Sequence, residues 1–211
     1  MKIAFLNILY NSRGFFLLLL VGIGTSFSAC TSKEVSHETF LAHYADPENE
    51  YLIRKSINEY QFTSTYKTKE VLAYRELESV YPVSRTLVDS IIDTYSEGCQ
   101  FVFDIQPIEG KRQIEFAKII QNADFFAELR AQLPQQMKLV YQGEEYDPEF
   151  FHIELGAELA NRIRCLIGFA VIPTEDFTFV YNDQLFGAGR LKFPYDPSTL
   201  EHLEIPIKTK Q

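Results

Sequence analysis

Alternation of apolar and polar residues is the clearest pattern along the chain, and it predicts a series of short β-strands. Between residues 60 and 67 the even positions carry Tyr, Phe, Ser and Tyr, whereas the odd positions carry Gln, Thr, Thr and Lys. One face of this strand is therefore predicted to be largely aromatic and the other polar. Strands are predicted at residues 51–57, 60–67, 100–108, 138–141, 150–155, 162–172, 177–181, 185–193 and 203–207.

Helical periodicity is strongest between residues 85 and 97, where Leu, Val, Ile, Ile and Tyr form one apolar stripe. Ser84 is placed to cap this helix and Gly98 to end it. Further helices are predicted after a Ser36 cap, at residues 68–77, and at residues 113–133 with a break near Asn122.

The order of these elements predicts the fold class. Strands come early, helices occupy the centre, and a run of strands follows, with tight turns expected at Asn58-Glu59 and Asn182-Asp183. The sequence shows no repeat and no long linker. We therefore expect a single α+β domain at residues 37–211, with a mainly antiparallel sheet packed by two to four helices.

The first 29 residues have the features of a cleaved export signal. Lys2 and Arg13 are their only charges, and an apolar run follows at residues 15–23. Such a run matches a signal-peptide core of about 7–15 residues. It is short for a membrane span, which needs about 20 residues.

The segment Phe27-Ser28-Ala29-Cys30 resembles the lipobox of bacterial lipoproteins, although Leu is usual where Phe27 stands. The resemblance implies cleavage before Cys30, a diacylglyceryl thioether on its sulfur, and acylation of the new amino group, for example by palmitate. Residues 30–36 would then be the lipid attachment site and a short tether to the membrane. The alternative is an ordinary secretory signal that ends at Ala29, with Cys30 unmodified.

Residues after the cysteine bear on the location of the protein. Thr31 stands where Asp retains enterobacterial lipoproteins in the inner membrane, so the resemblance implies delivery to the outer membrane of the cell envelope. Ser32-Lys33-Glu34 is similar to export tags of Bacteroidota surface lipoproteins. This short tag leaves the periplasmic and the surface-facing leaflet both open.

Composition and charge exclude several classes of protein. The chain has 211 residues, of which 46% are hydrophobic, and carries 20 Lys and Arg against 29 Asp and Glu. It is therefore neither a disordered chain nor a nucleic-acid-binding protein, which needs a basic face. Removal of Lys2 and Arg13 with the signal gives a mature net charge of −11.

The sequence lacks the common catalytic motifs of serine hydrolases, zinc proteases and phosphate-binding loops. Ser64-Thr65-Tyr66-Lys67 resembles the Ser-x-x-Lys of penicillin-interacting enzymes. That chemistry needs both side chains on one side of a helix, whereas the alternating pattern places Ser64 and Lys67 on opposite faces of a strand. We therefore predict no catalytic residue and no cofactor.

Metal-ligand patterns are weak. His152 and Glu154 share a strand face and supply only two ligands, fewer than zinc requires. Residues 144–149 include four acids without the spacing of a known calcium loop. We therefore interpret both as solvated groups and predict no metal site.

Cys99 and Cys165 lie in predicted strands, and export would expose them to an oxidising compartment. A disulfide between them would close a loop of about 65 residues and stabilise the fold by a few kcal/mol. The alternative is two buried, unpaired thiols used as small apolar side chains.

Phe186, Gly187, Gly189 and Arg190 form a candidate binding loop. Two glycines one residue apart in a strand pattern indicate a bulge or a close backbone approach, and Arg190 could then meet an anionic partner. The alternative is a twisted hairpin whose glycines relieve crowding near Phe186.

Two functions remain. The first is a non-catalytic lipoprotein that is held to the membrane through the lipid on Cys30, binds an envelope protein or component, and uses its many aromatic residues as a contact surface. The second is an envelope hydrolase or sugar-active enzyme that uses paired carboxylates about 5–10 Å apart.

Overall fold

Two antiparallel β-sheets form the centre of the computed structural model, which describes residues 36–49, 51–77, 84–110, 116–118, 121–154, 161–200 and 205–206. The strands of these residues, numbered β1 to β9 in chain order, are Leu52–Ile57, Tyr60–Lys67, Cys99–Pro107, Met137–Tyr141, Glu144–Tyr146, Phe150–Glu154, Ile163–Phe169, Phe177–Asp183 and Gly189–Tyr195. One sheet has the order β1-β2-β3-β7-β6, and the other has the order β5-β4-β8-β9.

Four α-helices accompany the sheets in this part of the chain. Helices α1 to α4 are His37–Ala45, Lys69–Leu77, Arg85–Thr94 and Ala123–Gln132, and short 3-10 segments lie at Pro47–Asn49 and Leu133–Gln136. Ser36 and Ser84 cap α1 and α3, as the sequence predicts, and Asn122 caps α4 at the predicted break. Over the described residues, no helix is long and apolar enough to cross a bilayer.

The predicted α+β fold with a mainly antiparallel sheet is confirmed, and residues 35–211 cluster as one unit. Its main core lies between the two sheets, where the apolar faces of the alternating strands meet. Phe101 of β3 stacks on Phe179 of β8 with ring centroids 5.2 Å apart. Deep in the same core, the hydroxyl of Tyr195 donates a hydrogen bond of 2.8 Å to Ser64. The aromatic face predicted for β2 therefore faces the second sheet.

A second core lies among the helices. Phe40 and Tyr44 of α1 pack with Tyr51 and with Tyr74 of α2, and all four rings are buried. The rings of Phe40 and Tyr74 are 4.7 Å apart. This cluster holds α1 and α2 together and includes Tyr51, which directly precedes β1.

Several sequence expectations differ from the structure. The aromatic residues mostly fill the two cores, and the exposed large apolar side chains in the described ranges are Leu41, Phe150 and Ile172. An extensive aromatic contact surface is therefore not found there. Strand β5 was not predicted, because its acidic residues do not alternate with apolar ones. The strand predicted at residues 203–207 and the first part of the helix predicted at 113–133 lie largely outside the described residues.

Candidate functional site

A row of polar side chains crosses the outer face of the five-stranded sheet. Its members are directly paired in register from strand to strand. In the order β1-β2-β3-β7-β6 they are Arg54, Thr63, Asp104, Arg164 and Glu154. Cross-strand partners project on the same side of an antiparallel sheet, so this row is the polar counterpart of the aromatic face beneath it.

Arg164 is the centre of this row. Its Nε donates to Oδ1 of Asp104 at 2.7 Å, and its Nη2 donates to Oδ2 at 3.0 Å. The Oε2 atom of Glu154 lies 3.9 Å from the same Nε on the other side. One guanidinium therefore holds both carboxylates, and the two parallel bonds to Asp104 give the pair a fixed geometry.

Helices α1 and α2 border this face and convert it into a groove of about 430 Å³. We call this the polar groove. Its polar side chains are Arg54, Gln61, Thr63, Thr65, Lys67, Arg75, Asp104, Gln106, Glu154, Arg162 and Arg164. Leu41 and Tyr44 of α1 and Val71 of α2 contribute to the helical side. The convergence of polar groups in one cavity makes the groove a candidate ligand site.

The charge of the polar groove is opposite to that of the chain. Five of its lining residues are Lys or Arg, and two are carboxylates, in a protein whose formal net charge is −9. Arg164 already pairs with both carboxylates. Within the described residues, the side chains of Arg54, Lys67, Arg75 and Arg162 have no hydrogen bond or ion pair.

Lys67 is a partly buried member of this set of unpaired cations. Its pKa is lowered to about 8, because burial removes water from the ammonium and because Arg75 and Arg164 repel it, while Asp104 opposes the shift. The guanidinium of Arg162 is also partly desolvated, since its Nε is buried without a hydrogen-bond partner in the described part of the chain. Both residues therefore place positive charge in the groove without an acidic partner among the described residues.

A larger cavity of about 790 Å³ adjoins the polar groove, because Leu52 and Arg54 line both. It lies beside the β4–β5 turn and the ends of β8 and β9, where its walls include Val140, Phe177 and Tyr195. Its walls are more apolar, and its two acids, at positions 176 and 196, give it no excess of positive charge. Of the unpaired cations, Arg54 lines both cavities, whereas Lys67, Arg75 and Arg162 line only the polar groove.

The candidate loop at residues 186–190 is a structured hairpin. Phe186 packs its ring 5.0 Å from that of Tyr60, and Gly187 and Gly189 have φ of +75° and +68°. A Cβ at Gly189 would meet nothing within 4 Å, so these glycines serve backbone conformation rather than crowding. Arg190 pairs with Glu145 at 3.0 Å on the surface.

Asp183 organises this hairpin and corrects the predicted turn. Its buried carboxylate accepts hydrogen bonds from the backbone N–H groups of Leu185, Phe186 and Ala188 at 2.6–2.9 Å, and from the hydroxyl of Tyr181. The turn predicted at Asn182-Asp183 is therefore wrong. Both residues belong to β8, and the chain reverses after them.

Cys99 and Cys165 are free and buried. Cys165 is directly opposite Phe103, four residues along β3 from Cys99, which separates the two by about 13 Å along the strand. A disulfide cannot bridge that distance. Of the two alternatives that the sequence leaves open, the structure shows the buried, unpaired thiols, and burial raises the pKa of the Cys99 thiol to about 12.

The remaining sequence candidates form no site. Ser64 and Lys67 lie on opposite faces of β2, as predicted, which separates the Ser-x-x-Lys pair. His152 is exposed on β6. No group of three potential metal ligands occurs among the described residues. Cys30 and the lipobox lie outside the described residues.

Sequence reasoning missed the polar groove as a site. The polar face of β2 was predicted, but Asp104 and Arg164 were not singled out, because their approach depends on a strand pairing that joins residues 60 positions apart. A signal was present in the alternation of Arg162 and Arg164 with Ile163 and Cys165, which places two cations on one strand face.

The described residues thus define an α+β protein with a cationic groove on the outer face of an antiparallel sheet. No protein-family model, curated protein or solved structure matches the chain. A functional assignment therefore depends on the residues and geometry of the chain itself.

Proposed function

We propose that the chain is a lipid-anchored protein of the cell envelope that acts as a non-catalytic binding module close to its membrane, with the polar groove as the binding site. The lipid is on Cys30, and the anchoring membrane is the outer membrane. This proposal joins the lipobox-like sequence to the geometry of the groove.

The unpaired cations of the polar groove carry the proposal. Lys67 and Arg162 are partly buried, and partly buried charge without a partner lowers the free energy of unfolding, whereas Arg54 and Arg75 are exposed at the groove. Four cations meet in one cavity with no free carboxylate between them. A ligand that supplies acceptor groups would compensate the charge of these cations.

A hydrolase that uses paired carboxylates is the alternative function. Asp104 and Glu154 line the same groove and are its candidate pair. Both oxygens of Asp104, however, accept hydrogen bonds from Arg164. This arrangement links two strands and does not present a proton to a substrate, so binding is favoured over hydrolysis.

The tether supports a location near the membrane. Helix α1 begins at His37 with Ser36 as its cap, which leaves six residues, 31–36, after Cys30. Six extended residues span at most about 20 Å. A mature net charge of −11 disfavours contact with anionic lipid surfaces outside the groove. The partner or ligand is therefore expected at, or delivered to, the membrane-proximal side of the envelope.

Site-specific photocrosslinking in intact cells tests the binding proposal. A photoreactive residue at Gln106, inside the polar groove, should capture a ligand or an envelope protein of the same membrane. The matched control is Gln135, which is exposed and does not line the groove, and a third position, Gln184, probes the β8–β9 loop. Equal capture at Gln106 and Gln135, or capture of nucleic acid or only soluble proteins, would contradict the proposal.

A further inference from the structure

We propose that the ligand of the polar groove is phosphorylated, and that its phosphate is held between Lys67 of β2 and Arg75 of α2. This inference rests on the proposed binding function and specifies the chemistry of the ligand. Lys67 lines the groove from the strand and Arg75 lines it from the helix, and neither side chain has an acidic hydrogen-bond or ion-pair partner among the described residues.

Lys67 and Arg75 are close enough to repel each other, and Arg75 is the strongest charged neighbour of Lys67. From β7, Arg164 adds further repulsion, and Asp104 of β3 is the one acid that acts on Lys67. Asp104 is occupied by its two hydrogen bonds to Arg164. A dianion between Lys67 and Arg75 would reverse this repulsion into attraction.

Phosphate fits this position better than a single carboxylate. A phosphate monoester carries about −1.5 to −2 charges at neutral pH and several strong acceptor oxygens. Guanidinium groups match phosphate oxygens through paired N–H donors, and Lys adds a point charge. A monocarboxylate would leave most of the groove's excess positive charge uncompensated.

The remainder of the groove indicates a polar body attached to the phosphate. Thr63 and Thr65 of β2 offer hydroxyl groups on the floor, and Gln61 and Gln106 offer amides beyond them. These groups donate and accept hydrogen bonds without charge, as hydroxyl-rich ligands require. A volume of about 430 Å³ exceeds the needs of inorganic phosphate alone, so a small phosphorylated, hydroxylated compound fits the space.

Calorimetric titration tests this inference on the full chain carrying Cys30→Ser, so that no lipid interferes. The probes are glucose 6-phosphate, inorganic phosphate and glucose, at constant ionic strength. We expect glucose 6-phosphate to bind more tightly than inorganic phosphate, and glucose not to bind. Lys67→Met and Arg75→Gln should each weaken binding about tenfold or more, because each removes a charged hydrogen bond.

Matched variants distinguish a built site from general charge attraction. Lys192→Met changes an exposed strand residue outside the groove, and Arg130→Gln changes an exposed helix residue. Both variants should bind glucose 6-phosphate with an affinity within about twofold of that of the protein without these substitutions. Equal weakening by Lys67→Met and Lys192→Met, or no phosphate binding at all, would overturn the inference.

A vesicle arm identifies the source of the phosphate. Binding to phosphatidylcholine vesicles only when they contain phosphatidic acid, and loss of it with Lys67→Met, would assign the phosphate to a lipid headgroup. Binding of glucose 6-phosphate without vesicle binding would assign it to a soluble compound. If crosslinking at Gln106 succeeds while every phosphate probe fails, the binding function stands and the phosphate inference is wrong.

Discussion

Arg164 and Asp104 face each other in neighbouring strands, and two parallel hydrogen bonds of 2.7 and 3.0 Å join the guanidinium to the carboxylate. The side chains are 28% and 14% exposed, so this pair is largely removed from water. It fixes the register of β3 against β7 and builds the floor of the polar groove with the same contact. The stability of the sheet and the shape of the groove are therefore linked.

Replacing Arg164 tests this link. Arg164→Met should lower the free energy of unfolding by about 2 kcal/mol, because Asp104 would keep a poorly solvated charge without a partner. Asp104→Leu should cost less, since Arg164 retains Glu154 nearby. Urea denaturation of each variant measures both values.

The double variant provides the control for that measurement. Arg164→Met combined with Asp104→Leu should recover most of the stability that Arg164→Met loses, because the poorly solvated charge of Asp104 is removed together with its partner. Strictly additive losses in the free energy of unfolding would show that the two side chains do not stabilise the protein through their mutual contact.

Replacement of the buried Asp183 should lower the free energy of unfolding more than replacement of an exposed aspartate. Asp183→Ala removes one acceptor shared by three backbone N–H groups and the Tyr181 hydroxyl, and it should lower the free energy of unfolding by about 2–3 kcal/mol. Asp196→Ala is the matched control, because Asp196 accepts similar turn hydrogen bonds from Ser198 at an exposed site. It should cost less than about 1 kcal/mol, and equal losses in chemical denaturation would contradict the role of burial.

Lys67 should make stability depend on pH in a defined direction. Its folded pKa is about 8, and an unfolded lysine titrates near 10.4, so between these values the unfolded chain binds more protons. The contribution of Lys67 to the free energy of unfolding therefore increases with pH across this window. Lys67→Met should be more stable than the unsubstituted protein at pH 7, by about 1 kcal/mol, and this advantage should shrink towards pH 10.

The comparison must be made as a difference between the two proteins. Cys99 and Cys165 have raised pKa values, so their effect on stability runs in the opposite direction above the pKa of an unfolded thiol, near 8.5. That effect is common to both proteins and cancels. Lys192→Met should show no such trend with pH, and a constant difference for Lys67→Met would contradict the burial of the ammonium.

The strands and caps could be predicted because their signals are local. The alternation at residues 60–67 and the serines at positions 36 and 84 act within one turn or one strand, and the structure places those elements within a few residues of the prediction. The β8–β9 turn could not be predicted in the same way. Its position is set by the hydrogen bonds of the buried Asp183 to backbone groups beyond it, which residue preferences do not reveal.

The polar groove could be predicted only in part. The polar face of β2 follows from the alternation of residues. In contrast, β3 and β7 are far apart in the sequence, and only the order of strands in the sheet places Asp104 beside Arg164. The same pairing of strands explains why Cys99 and Cys165 do not form a disulfide. Both thiols occupy the core face, yet the register sets them four residues apart along the strand direction, a distance that no sequence spacing shows.

Buried thiols give a direct chemical prediction. Burial raises the pKa of both Cys99 and Cys165, so neither should be alkylated by iodoacetamide in the native protein at pH 8. In denaturant without reductant, both should be alkylated completely. Peptide mapping by mass spectrometry reads out both conditions. A linked peptide of Cys99 and Cys165 under non-reducing conditions would contradict the register of β3 against β7.

The membrane anchor is tested at Cys30. Cys30→Ser should abolish labelling by a fatty-acid analogue and release the protein from membranes, because the thioether and the following acylation both require the cysteine sulfur and cleavage before it. Cys99→Ser is the matched control and should remain labelled, since its site is buried in the folded domain. Several acyl chains together hold a protein firmly on a membrane, whereas one acyl chain does so only marginally. Loss of all the acyl chains should therefore be visible as release of the protein from the membrane. Undiminished labelling of Cys30→Ser would exclude Cys30 as the lipidated residue, and absence of labelling in the unsubstituted protein would leave an ordinary secretory signal.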